Sequence, residues 1–166
     1  FKLIYLKHIV AIILLVPLGF IGTAVKWLAF TILNFFNFFL NLINFTVPVT
    51  FYSQVWELVI SASISEGVFT FTVIFLNYIL IKKLFKWNIS FKPFLIVFAL
   101  LILGGTVNDF FTSLEVPIFE NVNLSRYEQY VLFGGLWIGF IFTIIASFYP
   151  ILIAYSEIDE NGNWSN

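Results

Sequence analysis

Apolar residues gather in four long runs, at positions 9–25, 58–81, 93–108 and 129–156, each bounded by charged residues or by His8. Only the second run is broken by a charge, Glu66. A helix crossing a bilayer needs roughly 20 mainly apolar residues at about 1.5 Å each. The runs therefore predict spans at about residues 5–25, 57–81, 93–114 and 130–154. The third reaches a full span only by running on past Asp109. The first reads as a span rather than a cleaved leader, because no small-residue cleavage pattern leads into a polar segment.

Residues 27–46 are also apolar, yet only Lys26 separates them from the first span and no Gly or Pro there lets the chain reverse. Their polar positions follow the helical period. Asn34, Asn37, Asn41 and Asn44 share one face, with Lys26 and Thr23 on the same side, opposite Leu28, Ile32, Phe35, Phe39 and Leu42. This pattern predicts an amphipathic helix lying in the membrane interface and ending before Pro48. The competing reading is a helix whose asparagine seam bonds to a partner helix. At the other end, residues 157–166 form an acidic polar tail whose composition gives no reason to expect packing.

The expected fold class is thus an all-α integral membrane protein with four transmembrane helices and one interfacial helix. Basic residues set its orientation. With four spans, Lys2, Lys7, Lys82, Lys83, Lys86 and Lys92 fall on one side, against Lys26 and Arg126 on the other. Both termini are expected on the positive-inside face of a bacterial or organellar inner membrane.

Composition sharpens this picture. Of 166 residues, 61% are hydrophobic and 10% charged, whereas soluble domains average about 45–50% and about 25%. The net charge of −1 gives no electrostatic footprint for nucleic acid. Zero Cys, zero Met and one His argue against disulfides, thiolate metal sites and a two-ligand haem, so no cofactor is expected. No phosphate-cradling glycine loop, nucleophile elbow or paired zinc ligands occur in the sequence.

Glu66 is the residue most able to carry chemistry. It lies about 13 Å along its helix from Glu57, where insertion scales charge roughly 2.5–3.5 kcal/mol for a carboxylate at the helix centre. It must therefore face protein or water. Ser63, Thr70 and Asn77 fall on its stripe, and Ser61, Ser65 and Thr72 on a second stripe opposite, which predicts a helix at the bundle centre. One reading makes Ser63, Glu66, Thr70 and Asn77 a proton or ion path with Asp109 as an outer relay; the blander one makes Glu66 packing glue. On the fourth span Gly135, Gly139, Thr143 and Ser147 recur every four residues, a ridge along which another helix can come close. Pro17 and Pro150 should bend their helices, the latter by freeing the Ala146 carbonyl.

The functional expectation is a non-catalytic structural or accessory subunit of a larger membrane complex, with lipid and other membrane subunits as partners. The alternative is a small ion- or proton-coupled transporter or channel component using Glu66. A lipid-modifying membrane enzyme ranks third.

Overall fold

The computed structural model describes residues 2–42, 51–115, 126–159 and 163. Five α-helices follow in order: α1 (Lys2–Ile13), α2 (Leu15–Leu42), α3 (Phe51–Tyr78), α4 (Lys92–Glu115) and α5 (Arg126–Glu157). A π-helical turn, Ile79–Leu84, closes α3, and Lys86 beyond it takes a positive φ of 53°. Four stretches are long and apolar enough to cross a membrane: Leu3–Phe35, Val59–Leu84, Lys92–Thr112 and Phe133–Glu157. They match the four apolar runs.

The first stretch is two helices set end to end. Leu14 separates them while keeping its own helical bonds, its N–H donating to the Val10 carbonyl at 2.9 Å and its carbonyl accepting from Leu18 at 3.1 Å; the missing N–H of Pro17 leaves the Ile13 carbonyl without its usual donor. From Leu15 the helix then continues unbroken through Lys26 to Leu42. The segment expected in the interface is therefore continuous with the first span through the described residues. Asn34 is exposed, but so are Leu28, Ile32 and Phe35 on the face assigned to acyl chains. Asn37 and Asn41 lie on the α2 backbone, and Asn44 lies outside the described residues.

Helix α3 occupies the centre, packed against α2 on one flank and α5 on the other, while α4 rests on α5 and touches α1. Its place between α2 and α5 follows from its two polar stripes, while its remaining face, with Ile60, Ile64, Phe71 and Phe75, is exposed and apolar. The apolar core lies toward one end, where Ala11, Leu15, Val73, Ile81, Phe91, Leu95 and Ile151 are buried. At this same end Lys7 sits 5.8 Å over the Trp87 ring and Lys92 5.2 Å over Tyr155, aromatic company usual for lysines at a membrane interface. Ile158 is buried there too and Asp159 closes a small turn with Asn163, so the start of the acidic tail is packed. The apolar side chain of Ile158 supplies the reason. Outward-facing residues elsewhere are large and apolar, among them Phe20, Leu100, Ile145 and Leu152.

Candidate functional site

Away from the packed end the helices part around a cavity of about 560 Å³. Its walls come from α2, α3, α4 and α5, and its floor is set by Leu15 and Phe98 of the core. Helix α4 touches α5 and α1 but makes no comparable contact with α2, which is where the space arises.

Polar groups from every wall meet in it. Lys26 of α2 forms an ion pair with Glu66 of α3. Their side chains are 30% and 22% exposed, so the pair is shielded but reached by the cavity. Thr23 lies one turn before Lys26 on α2, Thr106 and Asp109 project from α4, and Thr143 from α5. The remaining lining is apolar, including Phe69, Phe98, Phe110 and Phe140, with Phe110 stacked on Phe140 at 4.4 Å between centroids.

The structure thus brings Glu66 and Asp109 to one cavity and leaves the other residues of the expected path outside it. Ser63 is buried and lines a separate cavity between α3 and α5, its hydroxyl donating to the Val59 carbonyl at 2.8 Å. Thr70 is fully buried and its hydroxyl has no hydrogen-bond partner. Asn77, toward the packed end, donates its amide to the Ala11 carbonyl at 3.3 Å, while its own amide oxygen is unpaired.

The ridge on α5 turns toward α3 and the cavity. Gly135, Gly139 and Thr143 line the space, and a Cβ placed on Gly139 would lie 3.3 Å from Val59. Ser147 is fully buried with an unpaired hydroxyl. A closer α3–α5 approach than the one at Gly139 lies at a glycine that periodicity did not single out. Gly67 faces Ala146, whose carbonyl oxygen would sit 3.1 Å from a Cβ at that position. This is the carbonyl that Pro150 deprives of its helical donor.

Lys26 is the cavity residue whose ion pair the sequence reading missed. Its placement on the asparagine face and its role as a flanking charge hid a partner 40 residues away. A carboxylate inside a long apolar stretch does call for a cation at matching depth, and Lys26 is one of two lysines, with Lys7, inside the first stretch. Among the described residues no group of His, Cys, Asp and Glu could hold a metal ion. Comparisons with protein-family models, curated proteins and solved structures give no match to this chain.

Proposed function

We propose that this chain is a helical integral membrane protein acting as a small ion- or proton-coupled transport component, with the cavity between α2, α3, α4 and α5 as its working site. One observation carries the reading: Lys26, Glu66 and Asp109, from three different helices, converge on a single cavity within the apolar stretches. Ionisable groups are costly in a bilayer and are usually held there for a substrate or ion path. Glu66 is the group that exchanges its partner in this reading, and Lys26 is the counter-charge that holds it while the cavity is empty. Both termini lie on the lysine-rich, inward face by the positive-inside rule.

Proton uptake into proteoliposomes under an imposed membrane potential tests the proposal. The wild-type chain should pass protons, and Glu66→Gln should stop the flux while keeping its helical content. Absence of flux in the wild type would refute it.

A second reading, an accessory subunit of a larger membrane complex, is favoured by α4. Gly104, which does not line the cavity, is exposed, and a Cβ on it would meet nothing within 4 Å, leaving room for a helix from another subunit. Intact mass in mild detergent separates the two, since a lone 19.2 kDa species that still passes protons excludes this second reading.

A further inference from the structure

The charges and walls of the cavity define what it can hold. Lys26 and Glu66 neutralise each other. Asp109 faces the same space, and among the described residues no cation is paired with it. The charged residues lining the cavity therefore carry one negative charge in excess. Beside Asp109 the wall is aromatic: Phe110 follows it in sequence and stacks on Phe140. Aromatic faces attract cations as well as apolar groups.

We propose that the cavity binds a lipophilic organic cation, an amine or quaternary centre carrying an apolar body. Asp109 takes the charge, while Phe110 and Phe140 take the body. Naming this cation as the substrate rests on the transport reading above; the binding site itself rests on the cavity. A volume of about 560 Å³ falls within the roughly 300–1,000 Å³ usual for small-molecule sites. A bare inorganic cation is a poorer fit, because Lys26 holds Glu66 and the hydroxyls of Thr23 and Thr106 turn back on their own helices, leaving Asp109 too few oxygens beside it to replace a hydration shell. An anion is poorer still, because Glu66 already occupies Lys26.

The test is equilibrium binding of tetraphenylphosphonium to the full chain in detergent, with tetraphenylborate, of matching shape and opposite charge, as control. The cation should bind saturably at one site and the anion should not. Asp109→Asn should weaken the cation about tenfold or more, as loss of a charged partner implies, and Asp109→Glu should retain most of the affinity. No saturable binding, equal binding of the two ions, or full affinity in Asp109→Asn would overturn the inference. Should the Asn variant lose helical content, the comparison of the two ions on the wild type decides. Saturable cation binding by a chain that passes no protons keeps the site and removes the transport reading, whereas proton flux without cation binding removes the site alone.

Discussion

Lys26 of α2 and Glu66 of α3 form an ion pair across the helix interface, at the edge of the cavity. Each side chain alone would be an unpaired charge in a largely apolar setting, which costs more than the pair contributes. Lys26→Met or Glu66→Gln should therefore each lower stability by about 1–3 kcal/mol. The double variant Lys26→Met/Glu66→Gln should cost less than the two together. Exchange of the charges, Lys26→Glu with Glu66→Lys, should recover most of the loss. Thermal unfolding in detergent, followed by circular dichroism, measures all four, and strict additivity would contradict the pairing.

Glycines on α2 and α4 should respond in opposite directions. At Gly22 a Cβ would lie 2.7 Å from Val73 and 2.9 Å from Phe69, so Gly22→Ala should destabilise by about 1–3 kcal/mol through overpacking. Gly104 has open space around it. Gly104→Ala should stabilise the helix by about 0.5–1 kcal/mol.

On the α3–α5 seam, Gly67→Val would drive a branched side chain against the Ala146 carbonyl and should lower the unfolding temperature sharply, as should Gly139→Leu against Val59. Outward-facing Ile145→Leu should be neutral. Pro150→Ala tests the cause of the Gly67 contact. A restored N–H should draw the Ala146 carbonyl back into its own helix, and the Gly67→Val penalty should shrink in that background.

Orientation is open to chemical labelling. A reagent that modifies introduced Cys residues only from outside should reach a Cys placed between residues 116 and 125 and spare Asn88→Cys in the lysine-rich connection. The reverse pattern would invert the assignment.

The four apolar stretches were legible in the sequence because each is set locally, by a run of apolar residues between charges, and the central place of α3 followed from polar residues on both its flanks. Contacts between helices were not legible in the same way. Which level of α2 meets which level of α3 depends on packing across 40 residues of chain, so the partner of Glu66 went unseen although both residues were singled out. Gly67 was missed because a single glycine has no period to betray it, whereas the four-residue spacing from Gly135 to Ser147 does. Ile158 was submerged in a polar tail, and its burial needed neighbours from other helices.

Many hydroxyls in this molecule turn back on the helix that bears them: Thr23 to Gly19, Ser63 to Val59, Thr72 to Val68 and Thr106 to Ile102. A hydroxyl so occupied grips nothing on the next helix. Adjoining faces are then smooth, free to slip along their axes at little cost in hydrogen bonds. Against that slippage Lys26 and Asn77 act as two dowels at different depths, one seated in Glu66 and the other in the Ala11 carbonyl. Two dowels along one rod also stop it from turning, so α3 cannot screw past its neighbours to widen the cavity without first drawing one of them out.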